Sequence, residues 1–332
     1  MKAVLIALPF LMLTTATAAA QTPPPIIDMH LHAQEADAQG PPGQTICAPY
    51  VNWPALDPGE PIGRYLEAFS GRPDCPRRFT ASTIDAEIRD RTLAELDRLN
   101  VIAVTSGEPD TVELWRRQSP DRIIPGISGA LPDVAELRRL HAAGQLQVLG
   151  EIGAQGRPMG VNDPSLEPYY ALAEELDIPV AIHLGPVAPG MAYFGAPRFR
   201  AALNDPLMLE EVLLRHPDMR VYVMHAAYPM ADRMIALMYA HPQVYVDIAV
   251  IDYVVPRPEF HRYLRRLVEA GFAKRIMFGS DQMVWPETIG VAIEHVESAD
   301  FLSPGQKRDI FYNNAARFLR LDEATQRTHH GN

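Results

Sequence analysis

The sequence predicts a (β/α)₈ barrel, and three observations support that prediction. Eight short apolar runs, each of strand length, alternate along the chain with segments of helical periodicity. Such alternation implies right-handed crossovers and a parallel sheet, and eight units fit a closed barrel. The first run ends in His-Leu-His, at the position where a doubly wound open sheet usually has a glycine-rich phosphate loop. The open sheet is therefore the weaker alternative.

The predicted elements follow one another in a regular order. Strands are expected at residues 26–31, 101–105, 122–127, 145–150, 180–184, 220–225, 243–248 and 275–278. A first helix begins at about Ser82 to Asp85, and later helices cover 111–118, 134–142, 165–176, 206–215, 231–240, 259–270 and 288–296. A final amphipathic segment covers 304–319. The chain has 332 residues and is 47% hydrophobic, which is ample for a large core.

A long insertion separates the first predicted strand from the first helix. Residues 34–80 are rich in proline and glycine, which indicates a structured loop on the barrel mouth that could act as a lid. The insertion contains the only two cysteines, Cys47 and Cys75. In an oxidising compartment the simplest interpretation is one disulfide, which would contribute on the order of 3 kcal/mol through loop closure. Two unrelated thiols are the alternative.

The N-terminal residues 1–20 have the pattern of a signal peptide. Lys2 supplies a positive start, an apolar stretch follows, and the segment ends in the small residues Ala18 to Ala20. We therefore expect a mature chain from Gln21, with a barrel domain over 21–322 and a polar tail over 323–332. The predicted location is secreted or periplasmic, without stable membrane insertion after cleavage. An uncleaved membrane anchor is the alternative, although the apolar stretch is short for a span.

The charge of the chain limits its partners. The formal net charge of −11 argues against nonspecific binding to nucleic acid or to an anionic membrane. We expect a small-molecule substrate. A homo-oligomer is compatible with the sequence, which does not specify an oligomeric state.

Candidate metal ligands lie at the ends of the predicted strands. They are His30 and His32 on the first strand, Glu151 after the fourth, His183 on the fifth, His225 on the sixth and Asp281 after the eighth. The carboxyl ends of barrel strands meet at one mouth, so these side chains are expected to converge there. Polar groups gathered in this way are costly to bury unless they share a partner, and a cation is a suitable one. Asp281 is also suited to be a general base.

Several of these residues together resemble the metal-dependent amidohydrolase superfamily. The resemblance comes from DMHLH, His183, His225 and FGSD, and from the closing segment DIFYNNAARFLRL, which is similar to the amidohydrolase-related branch. It extends from Ile26 to Leu321 and implies a distorted barrel with one or two divalent ions, for which zinc is the expected metal.

The resemblance also implies roles for individual residues. His30, His32, His183 and Asp281 match the metal ligands of the superfamily. His225 matches a residue that either polarises the substrate or binds a second metal, and we expect it to act in catalysis together with Asp281.

Glu151 occupies the place of a bridging carboxylate in two-metal members of the superfamily. The alternatives are an ion pair with Arg157 or Lys274, or a supporting role beside the ligands. We expect Arg157, Tyr253 and Trp285 to contact the substrate, although loop packing explains each of them equally well.

The expected activity is that of an exported metal-dependent hydrolase that uses metal-activated water on an ester, lactone or amide bond. Two alternatives remain open. One is a one-metal nonoxidative decarboxylase of an aromatic or unsaturated carboxylic acid. The other is a non-catalytic, metal-containing binding protein.

Overall fold

Eight parallel strands form the barrel in the computed structural model, which describes residues 23–75, 77–153 and 159–331. In chain order the strands are β1 (Ile26–Ala33), β2 (Thr45–Cys47), β3 (Arg78–Thr80), β4 (Val101–Gly107), β5 (Ile123–Ile127), β6 (Val148–Ile152), β7 (Val180–His183), β8 (Val221–Met224), β9 (Val244–Asp247) and β10 (Ile276–Met277). The barrel order is β1-β4-β5-β6-β7-β8-β9-β10, and β2 pairs with β3 as a separate antiparallel hairpin.

Backbone hydrogen bonds join the last strand region to the first. Asp281 N donates to His30 O at 2.6 Å, and His32 N donates to Gln282 O at 2.9 Å. The predicted barrel is thus confirmed, and its eight strands lie within a few residues of their predicted positions. β10 is short. Near the mouth, most of the backbone hydrogen bonds to β1 come from the segment that follows β10.

Helices cover the outside of the barrel where periodic apolar positions predicted them. The helices that follow the barrel strands around the outside include Asp85–Leu99, Pro109–Gln118, Val134–Ala142, Glu167–Glu175, Glu210–Arg215, Ala231–Ala240, Arg257–Leu267 and Thr288–Glu297. Further short helices are Ile62–Leu66, Met191–Phe194, Ile251–Val254, Pro304–Arg308, Asn314–Phe318 and Glu323–His329. The predicted helices at 165–176 and 206–215 each begin with a 3₁₀ turn that starts at a proline, Pro164 or Pro206.

The C-terminal segment, expected to be a polar tail, contains a helix. Asp322 caps this helix by accepting a hydrogen bond from Thr325 N at 2.7 Å. His329 Nδ1 lies 3.0 Å from the hydroxyl of Tyr312, so the helix contacts the closing segment of the barrel.

One hydrophobic cluster fills the interior of the barrel. The hydroxyl of Tyr222 on β8 donates to Met29 O on β1 at 2.8 Å, although these strands are not neighbours in the sheet. The contact therefore crosses the barrel. The same cluster includes Tyr312 and Phe318 of the closing segment. Apolar side chains thus fill the interior of the barrel. The polar side chains of the candidate site lie at the carboxyl ends of the strands.

The insertion after β1 is closed by a disulfide between Cys47 and Cys75, as predicted. Cys47 lies on β2, whose pairing with β3 holds the base of the same loop. The predicted signal peptide and Gln21 lie outside the described residues. Within the described ranges, the structure contains no helix that is long and apolar enough to cross a membrane.

Candidate metal centre

Two histidines of β1 and the carboxylate after β10 form the first part of the centre. The Nε2 atoms of His30 and His32 lie 3.2 Å apart. Asp281 Oδ1 lies 3.4 Å from His30 Nε2 and 3.0 Å from His32 Nε2. All three side chains are almost fully buried. These atoms are close enough to one another to share a single cation.

Glu151 connects this group to two further histidines. Its Oε2 atom lies 3.3 Å from His32 Nε2 and 3.9 Å from His30 Nε2. Its Oε1 atom contacts His183 Nδ1, which in turn lies 3.3 Å from His225 Nε2. The two carboxylate oxygens thus face different sets of imidazoles. His30, His32 and Glu151 form one potential metal-ligand group, and Glu151, His183 and His225 form another.

The atoms present fit a divalent cation. Two imidazole nitrogens that face each other can share at most one proton, so Nε2 of His30 and His32 cannot satisfy each other and Asp281 by hydrogen bonds alone. Imidazole nitrogens and carboxylate oxygens are the donor types that zinc binds. Among the described residues, no lysine or arginine forms an ion pair with Glu151 or Asp281. The sequence-predicted ligands are therefore brought together, in positions that a cation would satisfy.

Asp247 orients two of the histidines and was not predicted from the sequence. Its Oδ2 atom lies 3.4 Å from His30 Nδ1. Its Oδ1 atom accepts hydrogen bonds from the backbone N–H groups of His225, at 2.8 Å, and Ala249, at 3.1 Å. The carboxylate favours a proton on His30 Nδ1, which leaves the Nε2 lone pair directed at the centre. The sequence signal was available, because Asp247 is a charged residue within an apolar strand run.

Asp28 supports the centre from the first strand. Its Oδ1 atom accepts from the backbone N–H groups of His30 and Ser280, both at 2.9 Å. This carboxylate therefore ties β1 to the segment that carries Asp281. Burial raises the pKa of Asp28 to about 6, although the hydrogen bonds act in the opposite direction.

The backbone at the mouth adopts uncommon conformations. His225, Ala226 and Ala227 have φ values of 57°, 48° and 54°, and Asp281 has a φ of 48°. Residues other than glycine rarely occupy this left-handed region, and such positions concentrate at functional sites. Gly185 is required beside them, because a Cβ atom there would lie 2.6 Å from Cβ of His225. The chain thus holds His225 in place through local geometry and close packing.

The pKa shifts indicate where the centre favours positive charge. Burial disfavours the charged form of His32, but hydrogen bonds to Asp281 and Glu151 outweigh it and raise its pKa to about 10. Burial also opposes ionisation of Glu151, yet the charges of His183 and His32 hold the pKa of its carboxyl well below the usual range. The centre therefore combines ionised carboxylates with a strong preference for a cation between them.

His225 differs from the other histidines. Burial and the charge of His183 lower its pKa to about 4, so the ring is neutral near pH 7. Its Nδ1 atom lies 2.9 Å from the carbonyl oxygen of Ala249, which can only accept a hydrogen bond. The proton of the neutral ring therefore lies on Nδ1, and the lone pair of Nε2 faces His183 and Glu151.

The expected substrate contacts occupy different environments. Tyr253 is fully buried, and its hydroxyl donates to Asp281 O at 3.3 Å. Trp285 is 5% exposed and donates from Nε1 to Gln44 O at 2.9 Å, which ties the insertion to the segment after β10. Arg157 lies outside the described residues. Lys274, considered as a partner for Glu151, instead forms an ion pair with Asp309 at 2.6 Å.

A barrel with a potential metal centre at its mouth agrees with the comparison with known families. The family model described as "Amidohydrolase" matches residues 27–321. The chain therefore belongs to the amidohydrolase family, whose members are metal-dependent enzymes.

The match to an individual curated protein covers less of the chain than the match to the family model does. The "Protein fluG" of Emericella nidulans is 22% identical over 135 residues, which are 36% of this chain and 16% of that protein. This chain thus spans a small part of the curated relative that it matches.

Solved structures share the fold over most of the chain. A 5-carboxyvanillate decarboxylase from Sphingomonas paucimobilis is 15% identical, with a TM-score of 0.55, over 90% of this chain and 100% of the other. A probable 2-pyrone-4,6-dicarboxylic acid hydrolase from Acinetobacter baumannii is 14% identical, with a TM-score of 0.53, over 89% of this chain and 99% of the other. Similar folds thus include a decarboxylase and a probable hydrolase, and at these identities the likeness concerns the fold alone.

Proposed function

We propose that this protein is an exported two-metal hydrolase that acts on an ester, lactone or amide bond of a small molecule. The observation that supports this proposal most directly is the position of Glu151. Its two carboxylate oxygens face two different groups of imidazoles, and a carboxylate placed in this way can bridge two ions. The proposed ligands of one ion are His30, His32 and Asp281, and those of the other are His183 and His225, with Glu151 shared. Zinc is the proposed metal because the donors are imidazoles and carboxylates.

The protonation of His225 favours a ligand role for this residue. A side chain that polarises a carbonyl must donate a proton from Nε2, the atom that faces the centre. The hydrogen bond from Nδ1 to Ala249 O places the proton of the neutral ring on the other nitrogen. Nε2 then offers a lone pair, as a metal ligand does. This assignment gives His183 a partner ligand and so supports the two-ion proposal that the position of Glu151 carries.

Asp281 is the proposed general base, and it also serves as a ligand. Its carboxylate faces the histidines of β1, while its backbone oxygen accepts from Tyr253 and its backbone N–H donates to His30 O. The position of the carboxylate is therefore fixed from both sides. In the proposed reaction Asp281 takes the proton of the attacking water and returns it to the leaving group. Bound divalent ions would lower the pKa of that water and stabilise negative charge on the carbonyl oxygen.

Export is the second part of the proposal. A disulfide closes the insertion, and disulfides persist in oxidising compartments such as the periplasm or the cell exterior. We infer a secreted or periplasmic protein on this ground and on the pattern of residues 1–20.

The test combines a metal count with a substrate panel. Protein purified from periplasm should contain about two zinc ions per chain, and Glu151→Gln about one, because the amide cannot bridge two cations as a carboxylate does. Wild-type protein should hydrolyse at least one ester, lactone or amide, lose this activity on chelation and regain it with zinc. Unchanged hydrolysis in the metal-free protein would contradict the proposal. Release of CO₂ from an aromatic acid would identify a decarboxylase instead, and metal binding without any turnover would identify a binding protein.

A further inference from the structure

The insertion after β1 is attached to three other loops at the mouth of the barrel. Gln44 O accepts from Trp285 Nε1 in the segment after β10. Tyr50 N donates to Val254 O, after β9, at 3.0 Å. The hydroxyl of Tyr65 donates to Pro189 O, after β7, at 2.7 Å. Because β8 lies between β7 and β9, the insertion spans the side of the mouth at which the strand of His225 ends.

A row of aromatic rings connects two of these attachment points. Tyr50 stacks on Phe69 with ring centroids 5.5 Å apart and an interplanar angle of 14°. Phe69 stacks on Tyr65 at 6.1 Å and 10°. Tyr65 then contacts Phe194, near Pro189, at 6.4 Å. These side chains pack into one continuous row, which we call the aromatic row (Tyr50, Phe69, Tyr65 and Phe194).

Hydrogen bonds and close packing fix the aromatic row at both ends. The hydroxyl of Tyr50 donates to Phe69 O at 2.7 Å, so two members of the row are also joined through the backbone. At the far end a glycine allows close approach, because a Cβ atom on Gly190 would lie 3.1 Å from the ring of Tyr65. The disulfide closes the base of the same loop. The insertion is thus held at its base and at its far end, and two of its aromatic residues, Tyr50 and Tyr65, are buried.

We propose that the insertion is a rigid segment that limits substrate size above the His225 side of the metal centre. Tyr65 is the residue that sets how close the insertion lies to that centre. We call this role of the insertion the size filter. The inference rests on the proposed function, since it concerns the substrates that reach the proposed metals. An insertion held at three loops would limit the depth of the space above His225 and Asp281. The substrate class is therefore compact: one small acyl or ring unit beside the reacting carbonyl, and no peptide or polysaccharide chain on that side.

The proposed role of Tyr65 is a specificity role and not a catalytic one. Its hydroxyl is used in the bond to Pro189 O, and its ring is packed between Phe69 and Phe194. Removing the ring frees the far end of the insertion, whereas removing only the hydroxyl loosens it. Bulky ligands should bind more tightly the further the far end of the insertion is released. Small ligands do not reach the insertion, so their affinity should not change.

The test measures binding of three hydroxamates of increasing size to zinc-loaded protein by calorimetry: acetohydroxamate, benzohydroxamate and 4-phenylbenzohydroxamate. Wild-type protein should bind the biphenyl compound about tenfold more weakly than acetohydroxamate. Tyr65→Ala should remove most of this difference, Tyr65→Phe should remove part of it, and acetohydroxamate should bind all variants alike. Tyr239→Ala is the matched control, because Tyr239 is 84% exposed and lies on the helix Ala231–Ala240.

Hydrogen exchange tests the same proposal without any metal. Backbone amides of residues 62–70 should exchange slowly in wild-type protein and faster in Tyr65→Ala. If wild-type protein bound no zinc but residues 62–70 still exchanged slowly, the proposed function would be refuted. The rigid attachment of the insertion would then still hold. Equal affinity of wild-type protein for all three hydroxamates, an unchanged preference in Tyr65→Ala, or equally fast exchange in wild type and Tyr65→Ala would each overturn the size filter.

Discussion

Asp247 is not a proposed metal ligand, and it acts on the proposed metals only through His30 and the backbone of residues 225 and 249. The variant Asp247→Asn tests this indirect role. The backbone N–H groups of His225 and Ala249 lie 2.8 and 3.1 Å from Oδ1, so the amide oxygen of asparagine must remain on that side to accept them. The amide nitrogen then replaces Oδ2, the atom that lies 3.4 Å from His30 Nδ1. A donor now faces the nitrogen that carried a proton in the wild-type protein.

The change in tautomer determines the size of the effect. Facing an amide donor, His30 is expected to hold its proton on Nε2, the nitrogen that lies 3.4 Å from Asp281 Oδ1. A protonated Nε2 has no lone pair for a metal. Loss of a group that orients a metal ligand typically costs about 10- to 100-fold in affinity. We therefore expect Asp247→Asn to weaken zinc binding by about 1.4 to 2.7 kcal/mol.

The assay is a competitive titration of zinc between the metal-free protein and a chromogenic chelator. Thermal unfolding of the metal-free protein serves as a second measurement, and it should change little because both backbone hydrogen bonds to residue 247 are kept. Asp133→Asn is the control, because Asp133 caps the helix Val134–Ala142 and asparagine caps helices equally well.

Two results would contradict this reasoning. Zinc affinity within about twofold of the wild-type value would mean that Asp247 does not set the tautomer of His30. A large loss of stability in the metal-free variant would mean that Asp247 acts on the fold itself.

Three further predictions concern other parts of the molecule. Gly185→Ala should lower the free energy of unfolding by about 1 to 3 kcal/mol and reduce the zinc content, because its Cβ would overlap His225; denaturation and metal analysis measure the two effects. Replacing Cys47 and Cys75 by alanine should lower the free energy of unfolding in urea by about 3 kcal/mol, through the lost loop closure. Asp252→Asn should raise the melting temperature of the metal-free protein at pH 8, with a gain that shrinks as the pH falls toward 4. The reason is that burial, together with neighbouring carboxylates, raises the pKa of Asp252 well above its usual range in the folded protein. The wild-type folded state therefore loses stability as the pH rises above the pKa that the Asp252 carboxyl has in the unfolded chain.

Each of these predictions has a direct control. Gly290→Ala lies in the helix Thr288–Glu297, where a new Cβ has only a side-chain nitrogen of Arg98 within 4 Å, at 3.8 Å. This variant should be neutral or gain up to about 1 kcal/mol from helix propensity, in contrast to Gly185→Ala. Reduction of the wild-type protein should reproduce the loss seen in the cysteine variant. A stability difference for Asp252→Asn that does not vary with pH would show that ionisation is not its cause.

The barrel strands could be predicted closely because each is a short apolar run between polar segments, and burial on both faces imposes that pattern. The polar residues that end these runs could be identified for the same reason. A bridging place for Glu151 came only from the family resemblance, because its contacts on two sides depend on how far apart His32 and His183 lie once the barrel has closed. Asp247 stands out in the sequence as a charged residue within an apolar strand run, but its contacts with the backbone and with His30 depend on the folded structure.

The insertion shows the limit of sequence patterns more clearly. Its proline and glycine content predicted a long loop, and its cysteines predicted a disulfide. The path of the loop is set by single contacts with distant segments, such as the bond from Tyr65 to Pro189. No local periodicity encodes contacts of this kind, so only the structure reveals them. Tyr253 and Trp285 remain predicted substrate contacts, with hydrogen bonds to Asp281 and Gln44 as their observed roles.

The closure of the barrel between β1 and the segment after β10 has a consequence for the order of assembly. His30 lies near the beginning of the barrel sequence and Asp281 near its end, and a backbone hydrogen bond joins the two residues. A metal site that contains both residues is therefore absent from every chain that ends before Asp281. Zinc affinity would report that the first and last strands have met, and bound zinc would in turn stabilise that meeting.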